Sequence, residues 1–146
     1  MYRISNIMTK DIITVDVEDS LYQAAKLMKQ YNIGFIPVLD GDVLAGVVTD
    51  RDLVVRGLAE NKSEKAKIKE VMTEQCIAVH PDTTVDEAVQ IMSENKIRRL
   101  CVVENNKLAG ICAIGDIAVK SKLLNDAGRA LNDISSPTRQ QVSGRG

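Results

Sequence analysis

Apolar positions along this chain alternate between strand-like and helix-like spacing, and each change of period marks an element. Ile12–Val15 is a short β-rich run, and Phe35–Leu39 and Val43–Val48 read as two further strands. Between them Leu21, Ala24, Ala25 and Met28 recur at helical spacing. A Ser20-x-x-Gln23 capping box fixes where that helix begins. The Asp40-Gly41 pair predicts a tight hairpin between the two later strands, because such turns need a residue at ease with positive φ. A second helix is expected over Asp50–Ala59, which completes a β-α-β-β-α unit.

The pattern then returns 64 residues later without a gap. Met8, Thr9, Ala24, Met28, Gly46 and Asp52 recur as Met72, Thr73, Ala88, Met92, Gly110 and Asp116. A Thr84-x-x-Glu87 box opens the matching helix, Asn105-Asn106 takes the place of the hairpin turn, and a last helix is expected over Gly115–Leu131. A unit of about 60 residues buries only about 60% of its unfolded surface and is marginal alone. Two copies are therefore expected to share one body with pseudo-twofold symmetry, packed through their sheets, with residues of both lining the clefts between them. The fold class is α/β (α+β), with repeats at 1–62 and 63–131. Glu60–Glu70, rich in Lys and Glu, reads as a solvated connector. Residues 132–146 turn to Ser, Pro, Thr, Gln, Arg and Gly, a tail expected to be disordered.

Composition narrows the function. A formal net charge of −1 lacks the basic excess of a nucleic-acid binder, and 3% aromatics leave few platforms for stacking bases. The longest apolar run, Leu108–Ile114, is far short of the ~18 residues a membrane span needs. The start carries no apolar signal stretch, and three cysteines without a C-x-x-C pair suggest free thiols, so the expectation is a cytoplasmic protein. No nucleophile motif, Walker A loop or dinucleotide fingerprint occurs, and the expectation is a protein that is not an enzyme. Cys76 and His80 form C-x-x-x-H, but no second ligand pair stands at zinc spacing. His80 reads as a surface residue.

Two stretches remain as candidate chemistry. In Gly46-Val-Val-Thr49-Asp50-Arg51-Asp52 a strand ends and a helix begins. Thr49 and Asp52 serve equally as an N-cap with a first-turn acid, or as a hydroxyl and a carboxylate offered to a sugar diol beside an anion. As a first-turn acid alone, Asp52 would add only about 0.3–1 kcal/mol to folding. The second stretch, Lys96-Ile-Arg98-Arg99-Leu100, has two guanidiniums where the first copy has Gly34-Phe35. They are either solvated and paired with acids or placed to grip phosphate.

The doubled set I-M-T, I-x-V, A-x-x-M, I-x-x-x-P-V and L-x-G-V-V-T-D-R-D resembles the CBS domain, named after cystathionine β-synthase, and the pair resembles a Bateman module. The resemblance covers roughly residues 3–125, and the run Ile33-Gly34…Pro37-Val38 with Thr49-Asp50-Arg51-Asp52 looks like the small stand-alone bacterial CBS-pair proteins. It implies two sheets packed together around two clefts that take adenosine compounds such as AMP, ADP, ATP or S-adenosylmethionine. Thr49 and Asp52 would meet the ribose, Cys76, Ile77 and Ala78 the base, and Arg98 and Arg99 the phosphate. The exchanged cleft would use Ile13, Thr14, Phe35 and Asp116. It is expected to be weaker, because Ala113 replaces the hydroxyl and Gly34-Phe35 the cations. The resemblance also implies a regulatory module that forms a homodimer through its helices, with Leu21–Met28 and Val85–Met92 as candidate faces. Its rivals are a ligand-free module acting on an unknown protein target, and a metal- or redox-responsive protein.

Overall fold

The computed structural model describes residues 2–135, with side chains through residue 127. Three-stranded halves are built alike. In the first, β1 (Val15–Asp16) lies parallel to β2 (Phe35–Asp40), and β2 forms a hairpin with β3 (Val43–Thr49). In the second, β4 (Ala78–Val79), β5 (Arg99–Glu104) and β6 (Lys107–Ala113) repeat that order. The helices are α1 (Leu21–Tyr31), α2 (Asp50–Asp52, continued as a π-helical turn over Leu53–Leu58), α3 (Val85–Asn95) and α4 (Ile114–Ser135). β3 and β6 meet through the Val43–Lys107 pair, so what the resemblance implies as two packed sheets is hydrogen-bonded into one order, β1-β2-β3-β6-β5-β4.

The local signals explain most of these bounds. Ser20 Oγ accepts from the Gln23 N–H and Gln23 Oε1 accepts from the Ser20 N–H, which closes the first capping box. In α3 Thr84 accepts from the Glu87 N–H, but Glu87 bonds the Thr84 hydroxyl instead of the backbone. There the N-terminal segment lies alongside, with Arg3 bridged to Thr84 and the Val85 N–H donating to the Tyr2 carbonyl. The first hairpin turns one residue later than expected, with Gly41 at φ +65°. Asn105 and Asn106 both take positive φ, as that turn requires.

The packed units do not follow the order of the repeats. Ile4 and Ile7 are buried against Ala88, Met92, Leu100 and Val102 of the second half, while Ile68 and Val71 join Ala24, Met28, Ile36 and Val38 of the first. Thr73 pairs with Val47 on β3, and Thr9 pairs with Ile111 on β6. Each half is thus completed by the segment that leads into the other.

The solvated connector expected over Glu60–Glu70 is therefore a correction. Ile68 is fully buried, and the carbonyls of Glu64 and Ala66 accept from Tyr22 and Leu21 at the start of α1. Charge alone concealed a core residue there. Helix α4 runs through Ser135, four residues into the expected tail; the rest of that expectation, 136–146, lies outside the described residues. The candidate association faces also move. Leu21, Ala24 and Met28, with Ala88 and Met92, are core residues, whereas Val54, Val55 and Leu58 after α2 and Val119 and Leu123 on α4 are exposed. Among the described residues no helix is long and apolar enough to cross a membrane.

Candidate functional site

Strand alternation sends Ile36 and Val38 into the first core, and leaves Phe35 and Pro37 on the opposite face, toward the other half. Arg99 and Cys101 hold the matching places on β5. This inter-repeat face carries two clefts. One, of about 350 Å³, is lined by Thr49, Cys76, Ile77, Arg98 and Arg99, five of the seven residues predicted for it. Phe35, Val47, Thr73, Gln75, Ile97 and Cys101 complete it. The other, of about 400 Å³, includes Ile13, Gly34, Phe35, Ala113 and Asp116, together with Asp11 and Arg99. Both volumes suit small-molecule sites.

Three predicted residues sit elsewhere. Ala78 is exposed on β4, paired with Cys101, and is outside the cleft lining. Thr14 lines a separate shallow cleft with Lys10, Asp42 and Lys107. Asp52 is 8% exposed and does not line the cleft. Its carboxylate accepts from the Thr49 N–H at 3.0 Å, and its own N–H donates to Thr49 Oγ1 at 3.1 Å. The Thr73 hydroxyl donates to both carboxylate oxygens at 3.3–3.4 Å, and the Arg56 guanidinium stands 3.9 Å away. A buried carboxylate with these partners holds the crossing of two segments. Its removal therefore costs more than the first-turn value, about 1–3 kcal/mol for the groups left unpaired.

The equivalent position in the second half behaves differently. Ala113 offers no hydroxyl, and Asp116 is exposed toward its cleft. At Gly34 a Cβ would lie 2.7 Å from the tip of the Asp50 side chain, and at the matching position 98 the Ile114 N–H donates to the Arg98 carbonyl. The charges of the clefts follow. The first is lined by two guanidiniums and no acid; the second holds two acids and shares Arg99. Neither Arg98 nor Arg99 pairs with a carboxylate among the described residues.

The thiols are held protonated. Burial pushes Cys101 up to about 12 and Cys112 up to about 11, and burial raises Cys76 as well. A folded-state value above the unfolded one, near 8.5, means the native state keeps protons that the unfolded chain releases. This contribution is complete below about pH 8.5 and is lost as pH rises toward 11–12. Urea midpoints should therefore fall steadily above pH 9, and less steeply in Cys101→Ala; a flat profile to pH 11 would contradict the assignment. His80 is exposed, accepts the Asp82 N–H and stands 3.7 Å from Glu104. The described residues include no cluster of three metal-ligating side chains.

Thr73 and Gln75 went unnoticed as lining residues, although the doubled Met-Thr pair at 8–9 and 72–73 marked that segment as structurally special. Comparison with known proteins agrees with this architecture. The family model for the CBS domain matches residues 4–57 and 68–121. The YlbB protein of Bacillus subtilis is 44% identical over 137 residues, 92% of this chain and 93% of that protein. The structure of CBSX2 in complex with AMP superposes with a TM-score of 0.77 at 27% identity, covering 86% of this chain and 99% of that one. The CBS domain pair of MJ0100 with 5'-methylthioadenosine and S-adenosyl-L-methionine gives 0.71 at 31%, covering 87% and 98%. Hypoxic Response Protein I with two coordinated zinc ions gives 0.74 at 31%, covering 81% and 98%. With the sequence repeat and the two family matches both set 64 residues apart, this chain belongs to the CBS-domain family and carries two CBS domains in tandem.

Proposed function

We propose that the protein is a regulatory module that binds an adenosine nucleotide in the cleft between Thr49 and the Arg98-Arg99 pair. The observation that carries this reading is the pair of guanidiniums, free of carboxylates among the described residues, at a cleft whose lining is otherwise largely apolar. An apolar slot takes the adenine, with Cys76 and Ile77 along its edge. Hydroxyls of Thr49 and Thr73 meet the sugar, and a fork of N–H donors meets the phosphate. A ribose diol reaching Asp52 would replace the long hydrogen bonds from Thr73. AMP and S-adenosyl-L-methionine in related CBS pairs support the ligand class.

The test is thermal unfolding with AMP, ADP, ATP, S-adenosylmethionine, adenosine and zinc in turn. A ligand at 100 times its Kd adds about 2.7 kcal/mol, roughly 5–10 °C here. AMP, ADP or ATP should stabilise more than adenosine. No shift with any adenosine compound at millimolar level would favour a ligand-free interaction module; a shift with zinc alone would favour the metal-responsive reading.

The module acts as a homodimer, and the exposed Val54, Val55 and Leu58 with Val119 and Leu123 support association through the helices that follow the hairpins. Light scattering at micromolar concentration should give twice the 16.0 kDa chain mass; a monomer would contradict this. Three free thiols among the described residues suit a reducing compartment such as the cytoplasm.

A further inference from the structure

Phe35 and Arg99 occupy the same position in the two repeats, 64 residues apart. Each begins its strand, Phe35 opposite Thr49 and Arg99 opposite Ala113. On the inter-repeat face they meet, with the Arg99 guanidinium carbon 5.7 Å from the Phe35 ring centroid. Both residues line both clefts. No hydrogen bond or carboxylate among the described residues holds the guanidinium in place.

The two clefts are not equally provided with positive charge. The Thr49 cleft has Arg98 as well, while Arg99 is the one cation among the described residues lining the other cleft, against Asp11 and Asp116. A guanidinium is a single planar fork and serves one phosphate at a time. We infer that Arg99 is a shared anion-binding group, resting on Phe35 when both clefts are empty and committed to one cleft when a phosphorylated ligand arrives. A nucleotide in the Thr49 cleft then leaves the second cleft with two acids and no lining cation. The clefts oppose each other for phosphorylated ligands and stay independent for uncharged nucleosides. This rests on the nucleotide reading above and adds to it a coupling between the sites.

Calorimetry with AMP and adenosine on the full chain tests it, using the wild type, Arg99→Gln and Phe35→Leu. Without a charge-assisted hydrogen bond to its phosphate, the second AMP is held about ten- to a hundredfold more weakly. In the wild type the second AMP should therefore bind at least tenfold more weakly, relative to the first, than the second adenosine does. Arg99→Gln should weaken the first AMP and narrow the gap, leaving only the part that Arg98 sets in the Thr49 cleft. The side chain of Arg99 is exposed, so this variant keeps the fold. Phe35→Leu frees the guanidinium and should raise the AMP-to-adenosine preference about two- to fivefold. Two equal, independent AMP sites in the wild type, or a gap left unchanged by Arg99→Gln, would overturn the sharing while leaving the nucleotide reading intact. Absence of binding by AMP and adenosine alike would overturn both.

Discussion

Gly46→Ala is expected to be among the most damaging single-methyl changes in this protein. The Thr73 backbone crosses directly over Gly46, so an added Cβ would press into the Thr73 carbonyl oxygen and lie 3.2 Å from the Glu74 Cα. Both are main-chain atoms, and neither swings aside like a side-chain tip. Beside this crossing, Val47 donates to the Thr73 carbonyl at 3.0 Å and Thr73 donates to the Val47 carbonyl at 2.8 Å. Relief of the clash strains or breaks that pair. Overpacking of about 1–3 kcal/mol and two backbone hydrogen bonds near 1 kcal/mol each sum to roughly 3–5 kcal/mol. The melting temperature should fall by about 10 °C or more. Gly110→Ala is the control. Its closest neighbour is the Met8 sulfur at 2.7 Å, a flexible side-chain atom, with the Thr9 carbonyl at 3.0 Å. Its loss should be clearly smaller, and equal melting points for the two variants would contradict the exchanged-segment packing.

Arg98→Ala should weaken AMP by about ten- to a hundredfold while changing adenosine less than about twofold. The removed interaction is a charge-assisted hydrogen bond to phosphate, about 1.5–3 kcal/mol. Only the Arg98 backbone carbonyl takes part in the fold, through the Ile114 N–H, so stability should hardly change. Raising salt should erode the wild-type preference for AMP over adenosine in the same direction. Asp116→Ala, in the cleft with acids and one shared cation, should leave the first AMP nearly unaffected. Isothermal titration of the three proteins decides it. An AMP-to-adenosine ratio unchanged by Arg98→Ala would show that this arginine does not meet the phosphate.

Much of this fold was legible because local and tertiary signals agree. Capping residues Ser20 and Thr84 stand where helices begin, and the 64-residue offset places bulges at Val38/Leu39 and Val102/Val103 alike. What a single chain pattern conceals is exchange between halves. Ile4 and Ile7 recur 64 residues on as Ile68 and Val71, and all four are buried, but nothing in their spacing reveals that each pair packs into the other half. The site was partly legible for the same reason. Thr49 and Arg99 lie at strand ends, where direction follows from the pleat, and line the cleft; Arg98 precedes β5, so it escapes the alternation that would send it to the other face, and lines the cleft too. Asp52 belongs to the same motif, yet its carboxylate turns back onto the Thr49 N–H and the Thr73 hydroxyl, a partner 21 residues away that only the crossing of segments supplies. Thr14 and Ala78 carried over by analogy, but both strands are only two residues long, so little pleat extends to aim them.

The most direct test of the nucleotide reading is an amide chemical-shift map during AMP titration. The largest changes should fall on Thr49, Thr73, Gln75 to Ile77, Arg98 and Arg99, with small ones at Ile12, Ile13 and Asp116. Changes confined to the second group would put the working cleft on the wrong side of the pseudo-twofold axis. No change anywhere at millimolar AMP would contradict AMP binding itself.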